Sequence, residues 1–134
     1  YLCDDAEYVA VALGSMSNQI KDAVDELRED GIRAGLFSLS LYRPFPSEVV
    51  TSELSGRRGV IVFEKALSPG NTGAVFGDIR AALYDCSSRP FLRNYILGLG
   101  GRSYKTSDFC SAMRESVETG SEQREHPAWI GLNR

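Results

Sequence analysis

One histidine, three cysteines, one tryptophan and two methionines are spread over 134 residues, and each shortage closes a class of function. A zinc site needs three or four nitrogen or sulfur ligands, and a nucleophile of the cysteine–histidine kind needs both partners. The only histidine, His126, stands in a polar stretch before Pro127. Neither chemistry is expected. Cys3, Cys86 and Cys110 are odd in number, far apart and without C-x-x-C spacing, so free thiols in a reducing compartment are expected rather than a disulfide framework. Neither sign of charge forms a run longer than a few residues. The 15 basic and 18 acidic residues give a formal net charge of −3, with no basic stripe to follow a phosphate backbone, so no nucleic-acid partner is expected. Apolar runs stop far short of the ~20 residues that cross a bilayer, and no signal peptide opens the chain. The expectation is a cytoplasmic location with no membrane partner. The first residue is Tyr1 rather than Met, which suggests a piece of a longer chain.

What is present is one domain's worth of alternating elements. A hydrophobic content of 43% over this length supports one core. The run Tyr8 to Leu13 is continuously apolar, as in a strand covered on both faces. Ile20, Ala23, Val24 and Leu27 fall at helical spacing between Ser17 and Asp30, with Ser17 or Asn18 to cap the start and Gly31 to end it. A second strand is expected from Ile32 to Leu41, stopped by Pro44 and Pro46. A short helix from Ser47 to Leu54 and a third strand, Gly59 to Phe63, follow, separated by a basic turn at Arg57 and Arg58. Val75, Ile79, Ala82 and Leu83 predict a helix over Ala74 to Tyr84. Phe91 to Leu97 predicts a fourth strand, and Phe109, Met113 and Val117 a last helix over Ser107 to Thr119, closed by Gly120. Strands alternating with helices imply an α/β fold with a mainly parallel sheet and right-handed crossovers. The expected division is a domain over 1–120 and a polar arm over 121–134, in which Trp129 and Ile130 offer apolar contact.

Chemistry in such a sheet gathers at the carboxyl ends of the strands. Two turns there have the makings of an anion site, small residues leading into a helix start: Gly14, Ser15 and Ser17, and then Gly98, Gly100, Gly101, Arg102, Ser103 and Thr106. Neither meets a dinucleotide or Walker pattern. Ordinary tight βα turns explain the same glycines. Arg43 before Pro44 could bind a carboxylate or phosphate, or pair with Glu48 or Glu64 to pin neighbouring strand ends. Glu64, an acid at the end of a buried strand, is placed where a carboxyl group could act as acid or base. No second catalytic group accompanies it, so no catalytic residue is assigned and the isolated domain is expected to be inactive.

Five phrases in order carry a resemblance: Ala6 to Ser15, Ala23 to Ile32, Leu41-Tyr-Arg-Pro-Phe-Pro46, Ala66-Leu-Ser-Pro-Gly70 and Gly98-Leu-Gly-Gly-Arg102. Over about residues 5 to 118 the chain resembles the second domain of the alpha subunit of 2-oxoacid:ferredoxin oxidoreductases, most like pyruvate:ferredoxin oxidoreductase. The resemblance implies a transketolase C-terminal-like fold, a three-layer α/β/α sandwich with a mostly parallel five-stranded sheet. Four strands are read above, which leaves a short fifth to be found near the termini. It further implies a part of an enzyme that converts a 2-oxoacid and coenzyme A to acyl-coenzyme A, CO2 and reduced ferredoxin. Thiamine diphosphate, magnesium and iron–sulfur clusters would then lie on other domains or subunits, since the chain has no Gly-Asp-Gly motif and no clustered cysteines. The domain itself would serve assembly, with Arg43, Glu64, Ser68, Gly100, Gly101, Arg102 and Thr106 as interface or anion-binding candidates, a coenzyme A-binding edge being the alternative. The acid–arginine pair common in the family stands here as Glu64-Lys65, which keeps the charge signs and loses the guanidinium fork.

Overall fold

The computed structural model describes residues 1, 3–13, 17–39, 47–65, 74–84, 86, 90–97, 105–119 and 128–129. They form β1 (Tyr8–Leu13), α1 (Ser17–Glu29), β2 (Ala34–Leu39), α2 (Ser47–Leu54), β3 (Gly59–Lys65), α3 (Ala74–Leu83), β4 (Phe91–Leu97), α4 (Thr106–Thr119) and β5 (Ala128–Trp129). The strands make one five-stranded sheet in the order β2-β1-β3-β4-β5, parallel at every pairing. The architecture is the expected α/β/α sandwich. Its fifth strand is the two-residue β5, within the segment set apart above as an arm.

Alternation along β1 assigns the two faces. Tyr8, Ala10 and Ala12 point into a core shared with α1 and α4, while Val9 and Val11 point into one shared with α2 and α3. Small alanines on the first face let two long helices lie close over the sheet. There α1 contributes Ile20, Ala23, Val24 and Leu27, and α4 contributes Phe109, Ala112 and Met113. Phe63 stacks on Tyr95 with ring centroids 5.6 Å apart and meets Phe109 edge-on at 5.0 Å, both favoured aromatic geometries. The second face is aliphatic, with Val50 and Leu54 from α2 and Ile79 and Leu83 from α3 packed on Val60 and Val62.

Among the described residues three glycines are required by geometry: Gly31, Gly56, with φ +80°, and Gly59. Gly31 has φ +88° and ends α1 in a Schellman motif: the Ile32 N–H donates to Leu27 O and the Gly31 N–H to Arg28 O, each at 3.0 Å. Gly59 opposes Phe91 on β4, and a Cβ there would lie 2.2 Å from Cζ of that ring.

The crossovers do not all share a hand. From β3 to β4 and from β4 to β5 the chain steps in the same direction along the sheet, yet α3 lies on one face and α4 on the other. The β4–α4–β5 connection therefore has the opposite hand to the three before it, a departure from the uniformly right-handed expectation. The apolar stripe of α4 holds it beside α1, and a strand of two residues has little twist to oppose that choice.

Candidate functional site: the carboxyl edge of the sheet

Of the residues nominated at the strand ends, Ser17, Glu64 and Thr106 lie among those described. Arg43, Ser68, Gly100, Gly101 and Arg102 lie outside them, as do Gly14, Ser15, Gly98, Ser103, Gly120 and His126.

Glu64 falls within β3, which runs two residues further than the apolar run suggests. It is buried, on the α3 side of the sheet, and its Oε2 accepts the Phe76 N–H at 3.1 Å. Phe76 is the third residue of α3, so this amide is one of the donors that a helix start leaves without an intrahelical partner. The carboxylate thereby sits at the positive end of the helix dipole.

At α4 the chain supplies its own acid again. Asp108 Oδ2 accepts the Lys105 N–H at 2.8 Å, the reach-back half of a capping box. Thr106, half-buried, opens the same turn. A carboxylate already seated on this first turn opposes a phosphate by charge and by occupancy. At α1, the Ser17 hydroxyl bonds the Ser38 hydroxyl at 2.8 Å, tying the start of the helix to the end of β2. Glu48 occupies the first turn of α2. On this edge, then, the helix starts meet the chain's own polar side chains.

The opposite edge carries a cluster that reading the motifs did not find. Glu7, Arg33 and Arg58 each stand one residue before a strand. The register Tyr8↔Ala34 and Tyr8↔Gly59 brings them side by side. Glu7 accepts from Arg33 at 2.7 Å and faces Arg58 at 3.5 Å. Next to them Arg28 pairs with Asp5 at 2.8 Å and donates Nε–H to Ala34 O at 2.7 Å. The Arg28 guanidinium holds the Asp5 carboxyl below its ordinary value. Arg57 donates to the carbonyls of Cys3, Ala6 and Glu53 at 2.6, 2.7 and 2.8 Å, fastening the end of α2 to the lead-in of β1. The signal was a charged residue directly before each apolar strand, which acquires meaning only once the register is known.

The cysteines are free thiols. Burial, together with the neighbouring Glu26, pushes the Cys110 thiol up, away from the thiolate that nucleophilic chemistry needs. Two buried polar side chains on β4 also escaped the sequence reading. Arg93 donates to the carbonyl and hydroxyl oxygens of Thr119 at the end of α4, and its Nε and one terminal nitrogen have no hydrogen-bond partner among the described residues. Both amide atoms of Asn94, on the α2/α3 side, are likewise unmatched. Among the described residues no group of three His, Cys, Asp or Glu could hold a metal ion, and no helix is long and apolar enough to cross a membrane.

Comparison with known proteins adds identity to this geometry. Residues 6–109 match the family model described as pyruvate:ferredoxin oxidoreductase core domain II. The chain is 38% identical over 132 residues to pyruvate synthase subunit PorA of Thermotoga maritima, covering 98% of this chain and 33% of that protein. To ketoisovalerate oxidoreductase subunit VorA of Pyrococcus abyssi it is 35% identical over 134 residues, covering 98% and 34%. The chain thus spans about a third of the length of the curated relatives it matches. Among solved structures it is similar to the alpha chain of a probable 2-oxoacid ferredoxin oxidoreductase from Thermoplasma acidophilum, with TM-score 0.46 and 24% identity over 86% of this chain and 91% of that one.

Proposed function

The chain belongs to the pyruvate:ferredoxin oxidoreductase core domain II family, and on that premise we propose that it is a non-catalytic assembly domain of a cytoplasmic 2-oxoacid:ferredoxin oxidoreductase. The whole enzyme would convert a 2-oxoacid and coenzyme A to acyl-coenzyme A and CO2 and pass electrons to ferredoxin. Thiamine diphosphate, magnesium and iron–sulfur clusters would be carried by its other domains and subunits. Relatives named for pyruvate and for ketoisovalerate match almost equally well, which favours the broad class of 2-oxoacids over either one. The domain comprises residues 1–120, with 121–134 as an arm that contributes β5.

The observation that carries this reading is the family match over residues 6–109. The geometry supports it from a second side. Glu64 and Asp108 already answer backbone amides at the helix starts of the carboxyl edge, which disfavours a bound phosphate of coenzyme A and favours contact with protein. Arg43, Ser68, Gly100, Gly101, Arg102 and Thr106 are the residues assigned to that contact.

The test is made in the full-length subunit co-expressed with its partner chains. Arg43→Ala and Arg102→Ala are expected to lower both co-purification of the partners and 2-oxoacid-dependent dye reduction, by about tenfold or more if these arginines anchor the contact. Unchanged assembly and turnover in both variants would defeat the reading.

A further inference from the structure

Glu64 is placed oddly for a contact residue. It is the penultimate residue of the central strand of the sheet and is only 7% exposed, so it has almost no surface to offer a partner. What it does offer is an acceptor for the first turn of α3. The position before α3, where a Ser, Thr, Asp or Asn would ordinarily cap the helix, is Gly73, which has no side chain. The Phe76 N–H is met instead from β3, twelve residues back along the chain, by Glu64 Oε2 at 3.1 Å.

We propose that Glu64 is a positioning residue, a remote cap that fixes both where the chain leaves β3 and where it re-enters α3. The proposal rests on the assembly reading above, because the edge so fixed is the one assigned to the rest of the oxidoreductase. Three observations converge on it. The sheet order reverses direction between β1 and β3, and such a reversal is where ligands and partners of open α/β sheets gather. A hydrogen bond to a charged acceptor is stronger than one between neutral groups, and burial strengthens it again. The acid also lies at the positive end of the α3 dipole, so charge and geometry act together. On the same face it follows Val60 and Val62 along β3 and opposes Ile96 on β4.

The experiment uses the full-length subunit in complex with its partner chains, with two readouts: hydrogen exchange of the first turn of α3, and 2-oxoacid-dependent dye reduction with pyruvate. Glu64→Gln keeps an acceptor of the same reach but gives up the charge, so protection at Phe76 and turnover should each fall about two- to threefold, less than when the acceptor is removed. Glu64→Leu removes the acceptor. Exchange at Phe76 should then accelerate about tenfold or more, with turnover falling at least fivefold in complex that still co-purifies. Should Glu64→Leu fail to fold, Glu64→Asp, which keeps the charge but is one methylene shorter, should show the same loss of protection in milder form. Full activity in assembled Glu64→Leu would overturn the proposal. So would a loss in Glu64→Gln as large as in Glu64→Leu, which would show that the charge reacts or contacts a partner directly. Parental protection of Phe76 in Glu64→Asp would overturn it as well. The exchange arm does not depend on turnover. A parent complex inactive on every 2-oxoacid would remove the assembly reading and leave the cap to be decided by exchange alone.

Discussion

The two faces of the sheet are built differently. Over one face lie the long helices α1 and α4, of 13 and 14 residues, and the core beneath them is aromatic, with Phe63 in contact with both Tyr95 and Phe109. The other face carries α2 and α3, of 8 and 10 residues, over branched aliphatics. Polar groups do not divide as cleanly, because Arg93 on the first face keeps two nitrogens unmatched among the described residues. On the first face the Tyr95 hydroxyl, Ser116 and the Ala112 carbonyl satisfy one another within 3.1 Å. On the second, Glu64 meets the start of α3, and the Asn94 amide is unmatched among the described residues. Helices this short gain little from their own cooperativity, so α2 and α3 depend on side-chain ties such as the Thr51 hydroxyl to Ala82 O at 3.3 Å. One face is a deep core with aromatic rings at its centre; the other is a thinner layer held by specific bonds.

The sharpest way to break that comparison is to hollow out each face in turn. Phe109→Ala removes a ring that touches Phe63 and is fully buried, and should cost ~3–5 kcal/mol. Leu54→Ala empties a fully buried position in the last turn of α2. A short terminal turn can settle into the gap, so the expected cost is ~2–3 kcal/mol, in the lower part of the range for leucine. Urea denaturation of both variants measures the difference. An equal or larger loss at Leu54 would show that the α2/α3 layer is as tightly packed as the other.

A smaller effect separates satisfied from unsatisfied polar groups. Asn94→Leu puts an apolar side chain of similar volume where a buried amide has neither donor nor acceptor met, and should be neutral or stabilising by up to ~1 kcal/mol. Tyr95→Phe deletes a hydroxyl that is bonded on both sides and should destabilise by ~1 kcal/mol. Thermal denaturation that moved both variants in the same direction would end the contrast between the faces.

This difference between faces also decides what could be read from residue order. β1 was legible to its last residue because both faces bury it and Tyr8 to Leu13 is apolar throughout. α1 was legible because four buried residues recur at helical spacing before a glycine. β3 was read two residues short, since a charge normally ends a buried strand, and Glu64 escapes that rule by finding the Phe76 amide. β5 could not be read at all: Ala128–Trp129 is too short to show a period, and only the open edge of β4 makes it a strand. Of the candidate site, the strand-end location was legible from the turns. The duty of Glu64 was not, because its partner lies across a glycine-rich connection with no spacing rule. The row of Glu7, Arg33 and Arg58 needed the register before three isolated charges became one cluster.

That cluster gives the last and smallest prediction, one that tests whether the strand-start edge adds anything to the two cores. Arg28 holds the Asp5 carboxyl below its usual value, through the hydrogen bond first and the charge second. A carboxylate whose folded-state pKa is depressed contributes stability that is fully present above its unfolded value, about 3.9, and is lost as pH falls through the lowered folded value. Asp5→Asn should therefore unfold with a shallower acid limb below about pH 4 than the parent and differ little at neutral pH. The pair is exposed, with side-chain exposures of 23% for Arg28 and 58% for Asp5, so water and salt weaken it. Raising the salt should erase the difference between the two acid limbs. Arg28 keeps its bond to Ala34 O when Asp5 is neutral, so the strand start stays fastened and only the pH-dependent part is lost. An acid limb that is unchanged in Asp5→Asn at low salt would show that this edge is bound by its backbone contacts alone.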